Sequence, residues 1–139
     1  MARIVLISCV SKKSNNKSKA CDLYISPLFK KNLQYALSLK PDKMFILSAK
    51  YGLLDLDEEI DPYDQTLNSM PLEEIKQWSN LVLNKLKNIS NLEEDEFIFL
   101  AGENYRKFLI PPIKNYKIPM KGLGIGRQLK WLTEKIKNE

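Results

Sequence analysis

The sequence predicts an α/β fold, a three-layer sandwich around a mostly parallel four-stranded sheet. Three observations predict it. Short apolar runs alternate with stretches whose apolar residues recur at helical spacing. The first three runs, Ile4-Val5-Leu6-Ile7, Met44-Phe45-Ile46-Leu47 and Phe97-Ile98-Phe99-Leu100, are nearly continuous, as in strands covered on both faces. The β-α-β-α-β-α-β-α order then implies parallel strands joined by right-handed crossovers. With 139 residues, 44% of them apolar, the chain reads as one domain over residues 1–139.

The first strand is expected over residues 3–8 and is followed by a polar loop, 11–19, that contributes nothing to a core. Ser26-Pro27 is an N-cap followed by proline at the first helical position. It opens a helix carrying Leu28, Phe29, Leu33, Ala36 and Leu37, with Pro41 beyond its end. A second strand covers 43–48. A second helix spans about 71–87, with Ser69 as a nearby cap candidate and Glu73-Glu74 at the positive end of its dipole. Leu72, Ile75, Trp78, Leu81, Val82 and Leu86 form its inward stripe. The third strand, 96–101, leads into a helix over 103–109 that Pro111-Pro112 stops. The fourth, 116–119, reads as an edge or a strand end because Pro119 cannot donate to a ladder. A last helix starts near Ile125 and carries Leu129, Trp131, Leu132 and Ile136, with both tryptophans on apolar stripes and read as core.

Composition narrows the chemistry. No histidine is present, which excludes a Ser-His-Asp triad, a Cys-His pair and any zinc site with a histidine ligand. Acid–base work falls to Asp, Glu, Lys, Tyr or Cys. Two cysteines and no secretion signal make the cytoplasm the expected compartment, and no apolar run approaches the ~18 residues of a membrane span. The net charge of +5 is unevenly spread. Residues 1–50 carry ten basic side chains against two acidic, 51–100 three against twelve, and 101–139 nine against three. Two basic ends favour an anionic partner, a phosphate-containing ligand or a nucleic acid, if they share one face.

In a parallel sheet, ligands sit at the carboxyl ends of the strands. Cys9, Ser11, Lys12 and Lys13 follow the first strand, and Ser48, Lys50 and Tyr51 end the second. Gly102, Tyr105 and Arg106 follow the third; Gly122, Gly124 and Gly126 lead from the fourth into a helix. Two readings of the glycine turn stand. It is either a phosphate or carboxylate site at a helix start, or a bare turn with tight helix packing. It is not the dinucleotide fingerprint. Cys9 is either a thiol activated by Lys12 and Lys13 or a small apolar filler. Within the acidic loop 53–66, Asp61-Pro62-Tyr63-Asp64 stands out, since a stiffened carboxylate would position water and Tyr63 would stack on a base. The loop does not match a calcium-binding pattern, and no metal or cofactor is expected.

These residues carry a resemblance. Ser8-Cys9-x-Ser11-Lys12-Lys13, Asp22-Leu23-Tyr24-x-Ser26-Pro27, Leu47-Ser48-Ala49-Lys50-Tyr51-Gly52-Leu53, Pro62-Tyr63-Asp64, Gly102-x-x-Tyr105-Arg106 and Gly122-Leu123-Gly124-Ile125-Gly126-x-Gln128 together resemble a small bacterial and phage family of uncharacterised domains. The resemblance adds Gln128 to the candidate site. Residues 47–54 with Ile60-Asp61-Pro62-Tyr63 are more distantly similar to the YaaA peroxide-stress proteins, which implies DNA binding and protection from oxidative damage. Cys9-Val10-Ser11-Lys12-Lys13 is similar to a Cys-Ser-x-Lys-Lys element in a domain of archaeosine synthases, with Val10 as an extra residue. Asp61-Pro62-Tyr63 resembles the water-activating Asp-Pro-Tyr of uracil-DNA glycosylases.

The leading expectation is an enzyme acting on a nucleobase, nucleotide or nucleic acid, at the N-glycosidic bond. Asp61, Asp64, Cys9 and Lys50 are its candidates for chemistry. Lys12, Lys13, Lys50 and Arg106 would hold phosphate, and Tyr63 or Tyr105 would stack on a base. The alternatives are a non-enzymatic DNA-binding stress or phage protein and a small-molecule binding module.

Overall fold

A computed structural model describes residues 1–8 and 15–137. Strand β1 (Arg3–Ser8) sits at the centre of the main sheet because Ile4, Val5, Leu6 and Ile7 are all inaccessible, so both of its faces are covered. It pairs in parallel with β3 (Lys43–Ser48) on one side and β6 (Glu96–Leu100) on the other. The register sets Ser8 opposite Leu47 and Ile7 opposite Leu100, so the three strands end together.

The sheet has five strands where the sequence reading expects four. With β4 (Gly52–Asp55) and β7 (Tyr116–Lys117) its order is β4-β3-β1-β6-β7, and it is mixed, because β4 folds back antiparallel on β3. A loop of residues 49–51 makes that reversal, closed by Gly52 at φ 77°, in the left-handed region that favours glycine. Strand β7 (Tyr116–Lys117) lies at the opposite edge, parallel to β6 and ending before Pro119, as expected for a residue without an N–H. A separate antiparallel ribbon joins β2 (Ser18–Lys19) to β5 (Glu59–Ile60).

Helix α1 (Ala20–Leu23) follows β2 directly. Helix α2 (Pro27–Ser38) starts where its cap places it, with the Phe29 amide donating to Ser26 Oγ at 3.2 Å. Its far end is tied to the amino edge of the sheet, since Arg3 Nη1 donates to the Leu39 carbonyl and the Asp42 amide to the Arg3 carbonyl. The N-terminus of α2 therefore points to the carboxyl edge. Helix α5 (Ile125–Lys137) packs along α2. Helix α3 (Leu72–Ile89) packs on β4 and on the short α4 (Glu103–Arg106), which is less than the helix over 103–109 expected from sequence. Pro71, not Ser69, is the residue that precedes α3. Of the expected inward stripe of α3, Ile75, Trp78, Val82 and Leu86 are buried, whereas Leu72 and Leu81 face solvent. Ser79 and Leu83 complete the buried side. No helix among the described residues is long and apolar enough to cross a membrane.

At the amino edge, Glu96 receives Arg3 Nε at 2.8 Å and Lys117 Nζ at 3.0 Å. Asp95 accepts from the amides of Ala2 and Asn91 at 2.8 Å each. The Arg3 and Lys117 contacts hold the Glu96 carboxyl below the ordinary carboxylate range, and the Ala2 and Asn91 amides do the same for Asp95. This edge is a clamp.

Candidate functional site

The carboxyl edge has the opposite character. Ser8, at the end of β1, accepts the Gly102 amide on its Oγ at 3.1 Å, tying the ends of β1 and β6 together. Ser48, at the end of β3, is fully buried and anchors a chain of hydroxyls. The Tyr51 amide donates to Ser48 Oγ at 3.0 Å, and the Ser48 hydroxyl donates to Tyr63 Oη at 2.9 Å. Tyr63 Oη also lies 2.5 Å from Tyr24 Oη. Trp78 Nε1 donates to the Ser48 carbonyl at 2.7 Å. The Tyr63 ring meets Tyr24 and Tyr51 edge-on, with centroids 6.3 and 5.7 Å away. A buried hydroxyl left without a partner costs about 1–3 kcal/mol, so this chain exists only because its members satisfy one another.

These contacts assign orientation within the acidic loop. Residues 61–64 have no regular structure; Tyr63 turns inward while Asp61 and Asp64 are exposed on either side of it. Tyr51 Oη donates to the Asp61 carbonyl at 3.4 Å, and Lys50 Nζ stands 5.3 Å from the centroid of the Tyr51 ring. Lys50, Tyr51 and Asp61 thus share one corner. Tyr105 is buried in α4, edge-on to Trp78 at 5.6 Å, and its hydroxyl accepts the Leu67 amide at 3.4 Å. Tyr63 and Tyr105, expected to offer a ring to a base, are 8% and 1% exposed and so present little ring surface at this edge. The half-buried Tyr51 is the ring that reaches the surface at this edge.

A second feature lies between β6-α4 and the β7-α5 connection. It is a cavity of about 220 Å³ with an apolar floor that includes Phe99 and Met120 and a polar mouth of Gly102, Glu103, Arg106, Gly122 and Gln128. Arg106 is held by its Nε, which donates to the Ala101 carbonyl at 3.3 Å. Gln128 Nε2 donates to the Leu123 carbonyl at 2.8 Å, and the Gln128 amide makes the first helical bond, to the Gly124 carbonyl, at 2.9 Å. The amides of Ile125, Gly126 and Arg127 are therefore first-turn donors without an intrahelical acceptor. A Cβ built at Gly122, Gly124 or Gly126 would meet no atom within 4 Å. Tight helix packing is thus not the reason for the three glycines. Gly122 is required by its backbone, at φ 83° in the left-handed region, whereas Gly124 and Gly126 leave backbone bare at the helix start.

The edge accordingly holds two groups. Gly102, Arg106, Gly122 and Gln128 surround the cavity, with Gly124 and Gly126 exposed at the helix above it. Ser48, Lys50, Tyr51, Tyr63, Asp61 and Asp64 gather at the β3 end. Strands β1 and β6 separate β3 from β7, so the groups stand about 14 Å apart along the same edge. Cys9, Ser11, Lys12 and Lys13 lie outside the described residues. Among the described residues there is no cluster of three or more metal-ligating side chains. Sequence reasoning left Tyr24 undecided, read Trp78 as core and gave Glu103 no role. The position of Tyr24 just before a capped helix that starts at the carboxyl edge was the available signal.

A mixed α/β domain whose parallel strands end in a cavity and a buried hydroxyl chain is what fold and site define. The chain belongs to a family of unknown function, DUF6884, whose model matches residues 4–134. A search of curated proteins finds no match.

Proposed function

We propose that the protein is an enzyme acting on a nucleobase, nucleotide or nucleic acid, with the carboxyl edge as its site. One observation supports this reading: Arg106, held through Nε, lines a cavity together with Gly122 and Gln128, next to the start of α5, whose first amides have no intrahelical acceptor. Fixed amides at the positive end of a helix, with a guanidinium beside them, suit a phosphate or carboxylate. At about 220 Å³ the cavity falls below the ~300–1,000 Å³ of sites that enclose a whole drug-sized ligand. It would take one group, and the rest of the ligand would extend along the edge toward Lys50, Tyr51 and Asp61.

At that corner Asp61 or Asp64 would orient a water molecule. The water oxygen would bond to the anomeric carbon as the C–N bond breaks, its proton passing to the carboxylate and the electron pair leaving with the base. This is the step that the similarity of Asp61-Pro62-Tyr63 to the glycosylase segment suggests. In the same reading the helix pairs α2–α5 and α3–α4 are the outer layers of a three-layer sandwich, and the protein works in the cytoplasm. A non-enzymatic DNA-binding role of the YaaA type is the second reading, favoured by the surplus of basic residues on α2 and α5.

The test pairs binding with turnover. Mononucleotides and single-stranded oligonucleotides are incubated with the protein and free base is followed by chromatography. Arg106→Gln should weaken binding of a phosphate-bearing ligand at least tenfold. Asp61→Asn or Asp64→Asn should abolish base release and leave binding within about twofold. Base release that survives both aspartate substitutions contradicts the mechanism, and binding without any turnover favours the second reading.

A further inference from the structure

Helices α2 and α5 lie side by side and carry Lys30, Lys31, Arg127, Lys130, Lys135 and Lys137 against Glu134 alone. Helix α3, by contrast, balances Lys76, Lys85 and Lys87 against Glu73 and Glu74. The surplus lies mainly on α5, since α2 adds Lys31 and Lys30, the latter lining a groove that Asp22 shares. An aromatic contact lies at the seam. Tyr35 of α2 and Trp131 of α5, both half-buried, meet edge-on with centroids 5.1 Å apart, and Lys135 Nζ stands 5.4 Å from the Trp131 ring centroid. Trp131 packs against the core, as its helical spacing reads, and is half-buried rather than fully enclosed.

We infer that the α2–α5 pair is a docking face for a nucleic-acid strand, which it delivers to the carboxyl edge. The inference rests on the nucleotide or nucleic-acid reading above and makes the substrate polymeric. Charge and shape argue for it. Both helices begin at the carboxyl edge, so a strand lying along them reaches the glycine turn without leaving the basic surface. From Arg127 to Lys137 the helix covers roughly 15 Å, enough to face about four phosphates of one strand. Cations beside partly exposed aromatic rings suit a backbone whose bases can stack. An anionic membrane fits less well. An interfacial helix presents a continuous apolar face outward, whereas this pair exposes only Leu37 of α2 and Ile125 of α5 as large apolar side chains with more than a third of their surface open.

The probe is a labelled 20-nucleotide single-stranded DNA, titrated by anisotropy at several salt concentrations with the full chain. Lys130→Gln/Lys135→Gln should reduce the slope of log K against log salt by about 1.4, from about 0.7 per phosphate contact, and weaken binding about tenfold at low salt. The two-charge control Lys76→Gln/Lys87→Gln should change neither. Trp131→Phe should remove the tryptophan quenching that accompanies binding, a readout that does not depend on charge. AMP binding should persist in Lys130→Gln/Lys135→Gln and fall in Arg106→Gln, which separates this face from the cavity. Equal losses in the two double variants overturn the inference. So does wild-type protein that ignores the oligonucleotide, or that instead binds vesicles of phosphatidylcholine and phosphatidylglycerol. Absence of base release bears on the proposed chemistry and leaves the docking face standing.

Discussion

Tyr63 shows how a single side chain can be placed by its partners against its neighbours in sequence. Pro62 and Asp64 flank it in an exposed acidic loop, yet its hydroxyl accepts from Ser48 and meets Tyr24 in the core. Tyr63→Phe should remove an acceptor from the Ser48 hydroxyl and cost about 1–3 kcal/mol in urea unfolding. A loss below about 0.5 kcal/mol would mean the hydroxyl chain is not structural. The carboxylates at the amino edge give a pH test. Glu96 is held below its ordinary pKa by Arg3 and Lys117, and Asp95 by two amides. Their contribution is fully present above the unfolded value, near pH 4, and is lost as pH falls through the lowered folded values. Glu96→Gln should be less stable than wild type at pH 7 and show a flatter stability profile between about pH 5 and 2. Parallel profiles for the two proteins would contradict this.

At the scale of elements, physical coverage decides what can be read from sequence. Strands β1, β3 and β6 are legible because both faces are buried and their apolar runs are unbroken. Strand β4 is not, since Leu53-Leu54 is too short to announce a strand before the acidic run begins, and Gly52 reverses the chain without any periodic signal. Leu81 sits at a helical position beside the true stripe, one residue outside the buried arc, and periodicity alone does not separate the two. Positions at strand ends were legible as a site because parallel topology collects them. The directions of Tyr63 and Tyr105 were not, because irregular segments have no period that sets which way a side chain points. At the β3–β4 turn, Gly52→Ala should destabilise by about 1–2 kcal/mol, because alanine is disfavoured at φ 77°. An unchanged urea midpoint would show that the turn relaxes freely.

Across the whole molecule the two sheet edges divide the labour. The amino edge is closed by an arginine, a lysine and two carboxylates. The carboxyl edge carries the cavity, the bare glycine turn and the starts of both basic helices. Gly126 separates structure from function at this edge. It is the second residue of α5, where alanine is still the better helix former, and its added methyl meets no atom within 4 Å. The most direct measurement is therefore calorimetric titration of Gly126→Ala with AMP, alongside its thermal unfolding. An unfolding temperature at or above that of wild type with affinity reduced at least fivefold is the predicted result. Unchanged affinity in the stabilised variant would contradict an anion site at the start of the last helix.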